Sequence, residues 1–167
     1  KNELQGRVQW EQRPNKGGLD YEITEINSDY AYKNLHLEVI PFEVDHYPVE
    51  PAYGYQIKVS DTEIEKKVVI SGDTRKNENL INHAMDADAL VHEVFINLEF
   101  DENRMSKKTI SNVRDYHTSP KEIGEIAKAA NVKKLILTHF VPPVFDEDFL
   151  TKKIRESYKG NVIIGED

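Results

Sequence analysis

No cysteine occurs among the 167 residues, which excludes disulfides and thiolate metal sites. No apolar run approaches the ~20 residues needed to cross a bilayer, so no membrane partner is expected. Positive charge is the minority sign. There are 22 Lys and Arg against 30 Asp and Glu, giving a formal net charge of -8. A broad surface that tracks nucleic-acid phosphates is therefore disfavoured, because such surfaces rest on Lys and Arg; a local basic pocket stays open. Methionine is scarce as well. The chain begins Lys1-Asn2-Glu3 and its first methionine is Met85. The expectation is a processed or truncated piece of a longer protein, its compartment open and the cytoplasm favoured. What is present is enough length for one domain, able to bury ~70% of its unfolded surface. No internal repeat or low-complexity stretch interrupts it.

Residues 1–34 are polar and read as an arm or hairpin region. Only Val8–Trp10 and Tyr21–Ile26 look strand-like there, with Pro14 and Gly17-Gly18 as a turn between them. From residue 35 the patterning is stronger. Leu35–Val44 alternates as a half-buried strand, and Ala52–Val59 follows, with Gly54 marking a bulge or a close backbone approach. Lys67–Ser71 is a short buried strand, residues 75–85 a helix with Leu80, Ile81, Ala84 and Met85 on one stripe, and Ala89–Phe95 another buried strand. Residues 97–115 read as a loop with a short helix. Ser119-Pro120-Lys121-Glu122 is a capping box with proline at the first helical position. Ile123, Ile126, Ala127 and Ala130 then share one helix face, and Asn131 suits a left-handed close. Val132–Leu137 is a strand, Phe149–Tyr158 a helix stopped by Gly160, and Val162–Ile164 a last strand. The fold class is α/β, strand-only in its first half and alternating in its second.

Chemistry-bearing residues fall at the ends of these elements. Asp73 follows a buried strand in Ser71-Gly72-Asp73-Thr74, the ligand side of such sheets; the competing reading is that Asp73 or Thr74 caps the next helix. His139 ends Leu135-Ile136-Leu137-Thr138 and offers an imidazole to zinc, manganese or iron, although a lone histidine is more often a satisfied interior residue. His117 stands just before the capped helix, where free N–H groups favour an anion and an imidazole could protonate a leaving group. Its bland alternative is exposure beside a simple cap. Glu93 lies at strand depth and needs a partner; His117 is one candidate, and the pair would fix the imidazole tautomer. His46 and His92 read as supporting or structural, His36 and His83 as ordinary surface residues.

Over residues 36–144 the order of these pieces resembles the C-terminal half of a metallo-β-lactamase-fold hydrolase, on the branch of ribonuclease Z and of the arylsulfatase-like and phosphodiesterase enzymes. The resemblance is carried by His46 with Tyr53-Gly54-Tyr55, by Ser71-Gly72-Asp73-Thr74-Arg75, by His92-Glu93-Val94-Phe95, by His117-Thr118-Ser119 and by Leu137-Thr138-His139-Phe140. It implies half of a four-layer αβ/βα sandwich, a mixed sheet with helices on one face, over residues 35–167. It implies two divalent metal ions, zinc first with manganese or iron as alternatives. Asp73 would bridge them and His139 would bind the second. His117, held by Glu93, would be the catalytic proton donor or transition-state stabiliser, while a metal-activated water attacks phosphorus, sulfur or a carbonyl carbon.

The family's His-x-His-x-Asp-His is absent, and so is a further metal histidine that normally precedes the Asp motif. The expectation is that an N-terminal half of the same enzyme carries both, and that the isolated chain is inactive without it. Such a half would need that partner, or a second copy as a homo-oligomer. The activity implied is cleavage of a phosphodiester or related small ester. A ribonuclease Z that processes transfer-RNA 3′ ends is the first alternative. It is disfavoured because residues 1–34, where the family's RNA-holding arm lies, contain only five Lys or Arg. A non-catalytic binding domain that keeps the fold is the second.

Overall fold

The computed structural model describes residues 23–28, 30–61, 64–96 and 106–166. The expected strand at Val8–Trp10 and its turn lie outside them. Of Tyr21–Ile26 only residues 23–26 are described, and they form no strand.

Among the described residues seven strands form one sheet in sequential order: β1 (Tyr32–Lys33), β2 (Leu37–Glu43), β3 (Tyr53–Ser60), β4 (Glu65–Ile70), β5 (Ala89–Phe95), β6 (Lys134–Val141) and β7 (Asn161–Ile164). β1 to β4 pair antiparallel, whereas β4 to β7 pair parallel. The change follows from the connections. Tight links join the early strands, and each later link contains a helix long enough to return the chain to the same edge. The described helices are α1 (Glu78–Ala84), α2 (Lys107–Arg114), α3 (Pro120–Ala129) and α4 (Glu147–Arg155).

Strand alternation gives the sheet two different faces. On one, Phe42, Val69, Leu90, Val94, Leu135 and Leu137 join buried residues of α1, α3 and α4 in a single apolar cluster. On the other, Tyr55, Ile57, Val68, Ile70, Val91 and Ile136 lie side by side, half-buried and outside that cluster. The mixed sheet with its helix-packed core is the α/β architecture expected.

Local signals account for most boundaries. In α3 the Ser119 hydroxyl accepts from the Glu122 amide while the Glu122 carboxylate accepts from the Ser119 amide, and Asn131 takes φ +52° just past its end. α1 starts at Glu78, later than residue 75, because Asn77 is the residue whose side chain accepts from the Leu80 amide. Thr74 and Arg75 remain in the preceding loop. A Cβ on Gly54 would meet the Phe42 ring at 2.5 Å, so the close approach expected there is present. His83 departs from its surface reading: it stacks on Phe42 with ring centroids 4.1 Å apart, and burial pushes its pKa down.

Candidate metal centre

The parallel strands deliver their C-terminal ends to one edge, and the chemistry gathers there. After β4 the chain turns at Gly72, whose φ is +62° and where a Cβ would sit 2.5 Å from the Tyr53 carbonyl oxygen. Only glycine suits that turn, and it sends Asp73 out over the edge. Asp73 does not cap α1; Asn77 does.

Strand β6 runs through the position where the sequence suggested it would stop. Glu93 pairs with Thr138 and Val94 with Phe140, leaving His139 as the extra residue of a bulge at φ +47°. An imidazole in a left-handed backbone on a bulge is an uncommon arrangement, and bulges beside sites re-aim side chains. Here it sets His139 Nε2 3.5 Å from Asp73 Oδ2.

Glu93 works from β5, on the face opposite the core. Its Oε1 accepts from the Thr118 amide at 2.9 Å and the Thr74 amide at 3.4 Å, and faces His117 Nδ1 at 3.2 Å. The Thr118 hydroxyl donates to the Thr74 carbonyl at 2.5 Å. One buried carboxylate thus clasps the loop that bears Asp73 to the loop that bears His117. The expected Glu93–His117 pair is present, and His117 is neither exposed nor a cap: its side chain is 7% exposed. The approach is close but not aligned as a hydrogen bond, so His117 Nδ1 and Glu93 Oε2 stay buried without hydrogen-bond partners. We read it as an electrostatic contact, which a small movement of the ring would turn into a hydrogen bond.

His46, read from the sequence as supporting, sits with the others. Its Nδ1 lies 2.9 Å from the Tyr116 carbonyl oxygen, and its ring centroid 5.2 Å from that of His117. His46, Asp73 and His117 each present one ligand atom, all within 4.8 Å of one another. Two imidazoles and a carboxylate are donors that zinc, manganese and iron accept, so the residues present fit a divalent ion. The signal that could have found His46 was its place in the gap between two strands, two residues beyond a strand end. Its contact with Tyr116, 70 residues on, was not readable. His92 did prove structural: it is buried on the core face, and burial pushes its pKa down.

Arg75 braces the edge. Its Nη1 donates to Asp45 Oδ1 at 2.6 Å, its Nη2 to the Tyr47 carbonyl at 3.1 Å, and its Nε to the Asp115 carbonyl. Beside His117 opens a cavity of about 630 Å³ whose lining is of mixed charge: Arg75, Lys76, Arg114 and Lys121 face Asp115, Glu122 and Glu125.

Asp73, Glu93 and His139 come from the parallel strand ends and His117 from the loop before the capped helix, on a fold that solved metallo-β-lactamase-fold proteins share. The chain superposes with a TM-score of 0.62 on the metallo-β-lactamase-fold protein YhfI from Bacillus subtilis, at 24% identity over 84% of this chain and 50% of that one. Human tRNase Z, short form, superposes at 0.52 and 21% identity over 81% and 43%. The chain has the fold of these proteins, and its sequence is similar to ribonucleases Z. It is 30% identical over 149 residues to ribonuclease Z of Mycobacterium bovis (strain BCG / Pasteur 1173P2), covering 87% of this chain and 51% of the relative. The chain therefore spans about half the length of the curated relatives it matches. No family model matches it.

Proposed function

We propose that this chain is the part of a metal-dependent hydrolase that carries the bridging carboxylate and the acid arm, and that the enzyme cleaves a phosphodiester or a related small ester. One observation carries the reading: Asp73 gathers with His46 and His117 within 4.8 Å and faces His139 Nε2 at 3.5 Å, at the C-terminal edge of parallel strands. Asp73 and His139 would hold metal, two ions in all with zinc first. A bound divalent ion supplies Lewis acidity toward a phosphoryl or carbonyl oxygen and lowers the pKa of a water.

The protein groups do the rest. Glu93 orients His117, and that imidazole is the catalytic arm that meets the charge developing on the substrate. Thr74 and Thr118 hold Glu93 still by their amides, so little reorganisation remains when charge develops. Arg75, Arg114 and Lys121 in the cavity beside His117 would meet an anionic ester group, and the positive end of α3 favours the same sign.

The second sheet face supports a partner. A stripe from Tyr55 to Ile136 is apolar and outside the core, as a surface that packs against another layer would be. We take that layer to be the N-terminal αβ half of the same enzyme, which would complete the sandwich begun by residues 35–167, or a second copy of this chain. Among the described residues no helix is long and apolar enough to cross a membrane.

A ribonuclease Z activity is favoured by the names of the sequence relatives. Turnover of bis-p-nitrophenyl phosphate and cleavage of a 3′-extended transfer RNA by the intact enzyme separate the two. Small-ester turnover alone supports the leading reading, and efficient transfer-RNA cleavage replaces it with the alternative. An intact protein that takes up no zinc, manganese or iron is a binding domain, and the hydrolase reading fails.

A further inference from the structure

The C-terminal edge of the sheet holds a second cavity, unlike the one beside His117. It measures about 380 Å³ and is lined by Phe140, Pro143, Phe145 and Ile164 together with two carboxylates, Glu147 and Glu166. We propose that this cavity is a subsite for a cationic, apolar-bodied ester group of the substrate, an alkylammonium in chemical class. The proposal rests on the hydrolase reading and names a group that its substrate carries.

Three observations converge. The first is position. β6 bulges at His139, which sets that imidazole beside Asp73, and Phe140 then returns to register with Val94. Val94 lies in the core, and Phe140 packs against that core. Two consecutive residues thus serve the site and the wall of the cavity. Ile164 and Gly165 add the end of β7. The Gly165 amide donates to the Leu137 carbonyl at 2.9 Å, and a Cβ there would meet that oxygen at 2.6 Å, so β7 lies tight against β6.

The second is the lining. The Phe140 and Phe145 rings stack with centroids 4.5 Å apart, and both pack against the apolar core, which fixes them. Ring faces attract an organic cation, more strongly where water is displaced. The volume falls in the range of small-molecule sites, roughly 300–1,000 Å³.

The third is charge. Among the described residues no Lys or Arg lines this cavity. Asp146 caps α4 by accepting from the Phe149 amide, and Glu147 follows in the first turn. A helix start carries about half a positive charge, which Asp146 alone offsets, so Glu147 and Glu166 leave the lining negative. An anionic group would be repelled there and a neutral one would gain from the apolar wall only. A cation gains from the rings and the carboxylates together. Arg75, Arg114 and Lys121 give the cavity beside His117 groups of the other sign. A substrate with an anionic phosphoryl group and one cationic ester group would therefore be held in a single orientation across the edge.

The test uses the intact enzyme and two diesters that differ in one atom. They are p-nitrophenyl 2-(trimethylammonio)ethyl phosphate and its uncharged isostere, p-nitrophenyl 3,3-dimethylbutyl phosphate. The cationic ester should show the higher kcat/KM, by roughly tenfold and chiefly through KM. In the Glu147→Gln, Glu166→Gln double variant that ratio should fall toward one; both side chains are exposed, so folding is not at stake. Phe145→Leu keeps apolar volume, removes the ring and should lower the ratio as well. Calorimetry with benzyltrimethylammonium chloride reads the cavity without turnover. The wild-type enzyme should bind it, and the double variant should bind it several-fold more weakly. Equal kcat/KM for the two esters, a preference that survives the double variant, or no binding of the ammonium overturns the proposal. The last result is also the one expected if another part of the enzyme fills the cavity. If neither ester is cleaved the hydrolase reading fails, and binding of benzyltrimethylammonium alone then decides for or against the cation subsite.

Discussion

The two faces of β5 follow different rules although their residues alternate along one strand. Leu90, His92 and Val94 point into the helix-packed core and are fully buried. Glu93 points the other way and is buried too, but among loops. On the core side a histidine without a partner for Nε2 is tolerated because nothing depends on its charge. On the site side the buried carboxylate gathers two amides and an imidazole, and every contact leads to a residue that could touch a substrate or an ion. Burial alone therefore does not distinguish the two; where the polar contacts lead does.

Substitutions should separate the faces cleanly. The largest effect is expected from Asp73→Ala in the intact enzyme. Its carboxylate is half-exposed and no hydrogen bond to the fold runs through it, so turnover should fall to background while the urea midpoint stays put. Unchanged turnover removes Asp73 from the ligand set. Leu90→Ala should do the opposite. It empties part of a fully buried site and should cost ~2–5 kcal/mol in urea unfolding, with metal affinity of the folded fraction unaltered. If metal affinity falls as well, the faces are mechanically coupled.

Glu93→Gln lies between these. The amide keeps one acceptor for the Thr74 and Thr118 N–H groups but loses the charge that sets the His117 tautomer. Turnover by the intact enzyme should weaken ~10–100-fold, with unfolding affected much less. A variant that unfolds outright would make Glu93 chiefly a structural clasp. A smaller loss belongs to Asn77→Ala, which removes the cap of α1 and should cost ~1 kcal/mol with no change at the metal centre.

What the sequence disclosed, and what it hid, divides along physical lines. The capping box at Ser119–Glu122, the left-handed Asn131 and the carboxylate at a strand end are local, each set by a few neighbouring residues. They were legible. The Glu93–His117 pair could be anticipated because a buried carboxylate must find a partner. His139 was located but misplaced as a strand terminus, because a bulge is a register event between β5 and β6 that alternation within one strand does not encode. The nearness of His46 to the site was hidden for a related reason: its contact with the Tyr116 carbonyl spans 70 residues. α2 showed only as a short helix within a loop, since none of its residues is buried and its sequence is polar on average.

His92 offers the mildest test of the difference between the faces, and it runs on pH. Burial holds its pKa below the ordinary value of 6.5, with the nearby Glu93 charge pulling weakly the other way. The sign follows directly. Below about 6.5 the unfolded chain binds a proton that the folded chain resists, so stability is full above that pH and is lost as the pH falls through it. Asp88 does not interfere in this window. The Lys67 amide and the Lys133 ammonium hold it well below the usual carboxylate range, so its contribution begins to be lost only below the ordinary value of 3.8. The urea midpoint of the wild-type chain should therefore drop between about pH 7 and pH 5.5, and His92→Phe should flatten that drop. Metal affinity at pH 7 should be the same for both, because His92 points into the core while Glu93, one residue on, points at the site. A His92→Phe chain that keeps the full pH dependence removes His92 as its source.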